Sequence, residues 1–363
     1  MRMKKLMILA VAAIALVACS KEFDTNKSAS NSAAIGFNTW AEQLTKARDA
    51  GSSTFVSGDY FLVSGFKTKS TTYTEVFAND TVKFNGSVWS YDNPRYWDSG
   101  ADSYTFYAVS SPNTALAFTG AANSNSRTIT ATAVTFSGSN NDILLANSVD
   151  VLPANYKTDV PVAFNFKHIG ALVDLKVKKT SALDDATVEI TAIALEGVYD
   201  EANLAVTEYT DNVPTVAWTS LANAVAPLTY TNASGVTPVD LPDDVSSATA
   251  DDLITSLIVI PQTLTTSQQI LKISYTITDG AGNINTFTDK TVDLNLFDDT
   301  DYPTDDDDET DGNQYNDGDP ISSWAAGTHY IYTLTIDANT INFTASITDW
   351  TTPATNGYYY LVN

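Results

Sequence analysis

The sequence predicts an all-β chain of two tandem antiparallel β-sandwich domains, and three observations carry that reading. Apolar and polar residues alternate with period two in one segment after another. The residues between those segments are rich in Gly, Asn, Asp and Ser, and stretches of helical period are few and short. Without intervening helices a parallel sheet is not indicated. The chain has 363 residues, which outgrows one core and makes two domains of about 150 residues the default.

The alternation is plainest near the C-terminus. Leu271, Ile273, Tyr275 and Ile277 alternate with Lys272, Ser274 and Thr276; Tyr330, Tyr332, Leu334 and Ile336 repeat the pattern, as do Ile341, Phe343, Ala345 and Ile347. Each reads as a strand with one buried face. Thr54 to Val63, Thr81 to Ser90, Ser103 to Val109, Arg127 to Phe136, Ala171 to Lys178 and Thr286 to Leu296 read likewise. Helix is expected only at Glu42 to Arg48 and from a start at Thr249-Ala250-Asp251-Asp252. The boundary is placed where Pro153 and Pro161 bracket a turn-like stretch, giving domains at 49–160 and 161–363. No repeat of solenoid length is visible.

The N-terminus has its own grammar. Arg2, Lys4 and Lys5 precede an uncharged apolar run from Leu6 to Ala18, which ends at Cys19. The run is short of the roughly 20 residues that span a bilayer. With Leu16 three residues before the cysteine and Ala18 directly before it, residues 1–18 are expected to be a lipoprotein signal peptide and Cys19 the lipidated residue. An ordinary signal peptide beside a stray cysteine fits the same pattern less well. A single cysteine excludes an intrachain disulfide and a thiolate metal cluster.

The formal net charge is −24, from 19 Lys+Arg against 43 Asp+Glu, and it becomes more negative when Arg2, Lys4 and Lys5 leave with the signal. Nucleic acid is not an expected partner for such a surface. Much of the charge sits in one tract, Asp298 to Asp319. Asp307, Glu309, Asp311 and Gly312 echo the start of a calcium loop. The third position is Glu309 and the twelfth is Gly318, where a bidentate Glu is needed, so a solvated acidic loop is the better reading.

Catalysis finds little support. The two histidines, His168 and His329, lie in strand-like patterns and read as structural, and neither a G-x-S-x-G elbow nor His-Glu-x-x-His occurs. No enzyme, cofactor or metal site is expected. Paired carboxylates for glycoside hydrolysis are not singled out by acids clustered in one loop. Six tryptophans offer a different idea, stacking on sugars. Trp89, Trp97, Trp324 and Trp350 are expected in the core or at corners, whereas Trp40 and Trp218 are freer to be exposed. A surface glycan-binding lipoprotein that keeps its anchor is therefore the alternative function.

Several stretches taken in order resemble the fimbrillin family, the pilins of Bacteroidales type V pili. They are the lipobox at Cys19; Ala34-Ile35-Gly36-Phe37 followed by Thr45-Lys46-Ala47-Arg48; and Val88-Trp89-Ser90-Tyr91 with Tyr96-Trp97 and Tyr104 to Ala108. Further on come Asp142 to Ala146, Val162 to His168, Ile258 to Gln262, and Trp324 to Tyr330 leading to Ile347-Thr348-Asp349-Trp350. Ser20-Lys21-Glu22-Phe23-Asp24 resembles the acidic export signal of surface lipoproteins in that group, and Asp80-Thr81-Val82 resembles its O-glycosylation site.

The resemblance implies two stacked transthyretin-like β-sandwiches and a fimbrium assembled head to tail from copies of this chain or related pilins. A lipidated precursor would reach the outer face of the outer membrane, and a trypsin-like or arginine-specific protease would remove residues 19–48. Ile35 and Phe37 share one face of the extended run Ala33 to Ala41, which suits a strand packed into an apolar groove and later displaced. Lys46 and Arg48 follow in a polar segment open to a protease; the plainer alternative is two solvated charges on a short helix. Tyr358, Tyr360 and Val362, in the extended C-terminal segment, would be the donor strand filling a neighbour's pockets, unless that segment is simply the last strand of its own domain. Continuing past one partner, a head-to-tail contact of this kind propagates as a fibre.

Overall fold

The structure, a computed structural model, describes residues 33–40, 55–111, 114–136, 142–151, 161–210, 213–222, 228–230, 251–295, 321–337 and 341–349. Among these the chain is almost wholly β, with one 3-10 turn at Ser181–Leu183. The strands are β1 (Phe37–Trp40), β2 (Tyr60–Lys69), β3 (Thr72–Phe84), β4 (Trp89–Tyr91), β5 (Ser103–Ser110), β6 (Ile129–Thr135) and β7 (Leu144–Val151). They continue with β8 (Val162–Asn165), β9 (Lys167–His168), β10 (Ala171–Lys179), β11 (Thr187–Glu196), β12 (Glu201–Thr210), β13 (Val213–Ala222) and β14 (Leu228–Tyr230). The last seven are β15 (Asp251–Val259), β16 (Gln262–Thr263), β17 (Ile270–Thr278), β18 (Ile284–Asp293), β19 (Ser323–Trp324), β20 (Thr328–Ile336) and β21 (Ile341–Asp349).

One sheet runs β4-β3-β2-β5-β7-β9 with every pairing antiparallel. Both of its faces are covered. Tyr104, Phe106, Ala108, Leu144 and Ala146 join a core with Phe61, Phe77, Val162, Phe164 and Phe166. Tyr107, Val109 and Leu145 turn the other way, onto Ile129 and Val134 of β6 and Leu204 and Val206 of β12. The single buried face expected for Ser103 to Val109 is corrected: β5 is buried on both faces, because it lies between two packed layers. Beyond the boundary expected at residue 160, β8 joins the core of the strands that precede it and β9 pairs with β7 of their sheet.

The C-terminal half packs the sheet β15-β10-β20-β21 against β14-β11-β17-β18 around a third core. Here the period-two readings map onto burial: Leu271, Ile273, Tyr275 and Ile277 are buried on β17, and Tyr330, Tyr332, Leu334 and Ile336 on β20. Two pairings depart from the antiparallel expectation, β10 with β20 and β1 with β8, both parallel. Partners far apart in sequence meet through tertiary folding, so local hairpin signals say nothing of their direction. The helix expected to start at Thr249 to Asp252 is corrected: Asp251 opens β15, whose Leu257, Ile258 and Val259 pair with Val173, Leu172 and Ala171. Pairing and burial of this β-branched segment outweigh a capping signal. The helix expected at Glu42 to Arg48 lies outside the described residues.

Three of the outer strands are bulged. β6, β13 and β18 each carry a non-glycine residue in the left-handed region, Ala133, Ser220 and Asp289, where the register to the neighbouring strand slips. Asn79 makes the same kind of bulge in β3 and pairs its amide with the backbone of Phe118 at 2.8 Å in both directions. Bulges of this sort twist an edge away from a second chain.

Candidate functional site: the N-terminal strand and its slot

Residues Ala33 to Trp40 fill a one-strand gap between two other backbones. On one side Ala34 bridges Tyr96 in antiparallel fashion, with the Ile35 N–H donating to the Arg95 carbonyl at 2.8 Å and the Trp97 N–H to the Ala33 carbonyl at 3.2 Å. On the other side β1 runs parallel to β8, Phe37 opposite Val162, and the Val162 N–H donates to the Gly36 carbonyl at 2.8 Å. Ala34 and Asn38 face outward, while Ile35 is 1% and Phe37 6% exposed. The period-two rule thus places the two apolar residues on one buried face.

Phe37 sits in a cage of aromatic rings. Its centroid lies 5.2 Å from Phe77, 5.7 Å from Tyr91, 5.8 Å from Phe106 and 6.1 Å from Phe61, all edge-on, and 5.7 Å from Phe164 in a stacked pair. Mostly edge-to-face geometry matches the ring quadrupoles and adds to area burial. Gly65 makes room for the cage: it is paired with Phe106, and a Cβ there would lie 2.6 Å from that ring.

Tyr91 closes the slot from β4. Its hydroxyl donates to the Ile35 carbonyl at 2.7 Å and accepts the Arg95 N–H at 3.2 Å, and burial pushes its phenol above the ordinary range. The Arg95 guanidinium holds this wall in place, with Nε donating to the Val76 carbonyl at 3.1 Å and Nη2 to Asp80 Oδ1 at 3.0 Å. Trp97 is buried edge-on against Tyr104 at 4.7 Å. Among the described residues, the groups that meet the strand are rings, alkyl groups, backbone amides and carbonyls, and a phenol. Such a site can seat an extended chain; it supplies no nucleophile or general base.

Both histidines are paired with carboxylates. His168 Nδ1 lies 2.9 Å from Asp142 Oδ1 in a buried pair, and burial raises the Asp142 pKa more than His168 lowers it. His329 Nε2 lies 2.9 Å from Asp174 Oδ2, across the parallel pairing of β10 with β20. Among the described residues no three His, Cys, Asp or Glu side chains gather where they would hold a metal ion. Trp97 and Trp324 are buried, the latter donating to the Tyr332 hydroxyl at 2.8 Å, and Trp89 is half-buried against Phe55 and Phe61. Trp218, expected to be free, is half-buried: its indole donates to the Ile169 carbonyl at 3.2 Å and its ring packs edge-on to Phe136. Thr81 is half-buried in β3.

Cys19, Lys46, Arg48, Tyr358, Tyr360, Val362, Trp350 and the tract Asp298 to Asp319 with Asp307, Glu309, Asp311 and Gly312 lie outside the described residues, as does the side chain of Trp40. The structure brings Ile35 and Phe37 together with Phe61, Gly65 and Phe77, which the sequence reading did not single out. The available signal was the alternation Val162, Phe164, Phe166, which marks the partner strand of the slot.

The sequence matches the model of a family described as fimbrillin-like over residues 45–350. The chain belongs to the fimbrillin-like family. The seated strand, residues 33–40, lies just before the matched range. Among solved structures, a fimbrial protein from Bacteroides vulgatus is similar in fold at 19% identity and a TM-score of 0.57, over 88% of this chain and 99% of that one. The fimbrilin FimA from Porphyromonas gingivalis aligns at 12% identity and a TM-score of 0.40, over 88% and 97%. The tip fimbrial protein Mfa3 from the same organism aligns at 11% and 0.38, over 87% and 99%. The likeness to the Bacteroides vulgatus protein, at 19% identity, speaks to fold alone. No curated protein matches this fimbrillin-like chain at a significant level.

Proposed function

We propose that this chain is a structural, non-enzymatic subunit of a surface fimbria serving adhesion, exported as a lipoprotein through Cys19 and polymerised by strand exchange. A trypsin-like or arginine-specific protease cuts after Lys46 or Arg48 and frees the segment that holds Ile35 and Phe37. The vacated slot then takes the C-terminal strand of the next copy through Tyr358, Tyr360 and Val362, and the lipid leaves with the displaced segment. The two sandwich domains form one subunit of the fibre.

The observation that carries this reading is the seat of Ile35 and Phe37. A segment upstream of two basic residues is built into the first core, its first residues bonded to Arg95 to Trp97 and its later ones to β8. Its removal would expose the Arg95 carbonyl, the amides of Trp97 and Val162, and a ring-lined trough. Neither Pro94 to Trp97 nor Pro161 to His168 carries a left-handed residue, in contrast to the bulged outer strands. The backbone of β8 and the Arg95 to Trp97 groups, once uncovered, would offer a template for strand addition.

The test uses the chain lacking its lipid. Trypsin is expected to yield a new N-terminus after Lys46 or Arg48, followed by ladders that resist sodium dodecyl sulfate. Deleting residues 357–363 should abolish the ladders and leave the monomer folded. A chain that stays whole and monomeric, yet is retarded on a polysaccharide affinity gel, would replace this reading with the glycan-binding one.

A further inference from the structure

Trp97 is 2% exposed, and its indole Nε1 has no hydrogen-bond partner. An indole nitrogen is a donor only, so this is a buried N–H lacking an acceptor. Its place is informative. Ala34 and Tyr96 lie opposite each other and both point outward, which turns Ile35 and Trp97 to the inside on adjacent backbones. Both belong to the same buried cluster, and the Phe106 ring lies 6.0 Å from that of Trp97 and 5.8 Å from that of Phe37. The chain's own strand presents Ala33 directly opposite Trp97, Ile35 on the diagonal and Phe37 beyond, and none of these side chains has an acceptor.

The C-terminal segment has what is missing. Residues 350–363 follow Asp349, the last residue of β21, and reach about 45 Å when extended, enough to leave one subunit for another. Tyr358 and Tyr360 repeat the spacing of Ile35 and Phe37. We infer that Trp97 is a specificity determinant of the slot: its indole N–H recognises the phenol oxygen of a tyrosine on the incoming strand. That residue is Tyr358 of a second copy, seated where Ile35 sits, with Tyr360 in the cage of Phe37. This rests on the strand-exchange reading above. It also gives the exchange a direction, since the outgoing strand leaves a buried donor unpaired and the incoming one pairs it.

The experiment activates the full chain with trypsin in the presence of fluorescent peptides covering residues 354–363 of this sequence. The readouts are peptide capture and the peptide concentration that halves ladder formation. The Tyr358→Phe peptide is expected to bind about tenfold more weakly than the parent, or about 1.4 kcal/mol. The Tyr360→Phe peptide should differ by less than about twofold, because the cage already holds a phenylalanine. On Trp97→Phe protein the parent and Tyr358→Phe peptides should bind alike.

If the Trp97→Phe chain fails to fold, the wild-type comparison stands with a second measurement. The Trp97 indole proton should move downfield in NMR spectra with the parent peptide and not with the Tyr358→Phe peptide. Equal capture of all peptides overturns the inference and leaves strand exchange intact. So does a Tyr358→Phe loss that persists on Trp97→Phe protein, or a loss carried by Tyr360→Phe instead. If no peptide is captured and no ladder forms, the strand-exchange reading itself falls.

Discussion

Replacing Phe37 by alanine separates what the N-terminal strand does before processing from what it does after. The side chain is 6% exposed and meets five aromatic rings within 6.1 Å, so its removal leaves a cavity that a rigid, sheet-built cage cannot collapse to fill. Phe→Ala changes in such cores cost about 3–5 kcal/mol. The uncut precursor should therefore lose about that much in urea unfolding. If the strand opens locally first, amide exchange at Val162 and Ile35 should quicken by about 10² to 10⁴ fold. Once residues up to Lys46 or Arg48 are removed and the slot is refilled, the mutated residue is gone. Cleaved, polymerised Phe37→Ala protein should then match wild type in heat and denaturant. A deficit of the same size before and after processing would show that residues 33–40 stay in place, and the account of the slot would fail. A precursor destabilised by less than about 1 kcal/mol would refute the packing argument itself.

Two further outcomes test groups outside the slot. The Arg127 side chain is buried and donates to Ser64 Oγ, the carbonyls of Ala121, Ser124 and Ser126, and Glu75, while its guanidinium lies 5.5 Å over the Phe66 ring. Arg127→Met should cost about 3 kcal/mol in urea unfolding and release amide protection across residues 119–128, because the buried Ser64 hydroxyl and four part-buried acceptors lose their donor together. The second concerns pH. Burial raises the Asp142 pKa in the folded chain, so the native state holds that proton more tightly than the unfolded one. Its contribution is full below the unfolded value of about 3.9 and is lost as pH rises through the raised native value. Asp142→Asn keeps an acceptor for His168 and removes that loss, so its stability relative to wild type should climb with pH across this window. Parallel curves for the two proteins would contradict the assignment.

How much of this was legible beforehand varies by element. β17 and β20 could be read directly, because a sandwich strand with one wet face writes its burial into every second residue. β5 was recognisable as a strand although both of its faces are dry. The sequence reading did not name β11, β12 or β13 as strands, and it turned Asp251 into a helix start. Those segments owe their conformation to partners more than fifty residues away in several cases, such as β11 to β17 and β12 to β6. At the slot, Ile35 and Phe37 were marked by their alternation, but Tyr91, Gly65 and Trp97 acquire their roles only from what lies across from them.

The sequence by itself determined that the chain is a succession of strands and that residues 33–41 read as an amphipathic extended run ahead of Lys46 and Arg48. These follow from periods, spacings and residue types, which are local. The tertiary structure decided that β1 pairs in parallel with Val162 to Asn165, and that the residues just before it, Ala33 to Ile35, bridge Arg95 to Trp97 in antiparallel fashion. It also decided that five rings from β2, β3, β4, β5 and β8 converge on one phenylalanine, and that one indole N–H beside them is left unpaired. Non-local strand pairing sets these relations. Its register and direction depend on the summed burial of both faces, which no window of sequence contains.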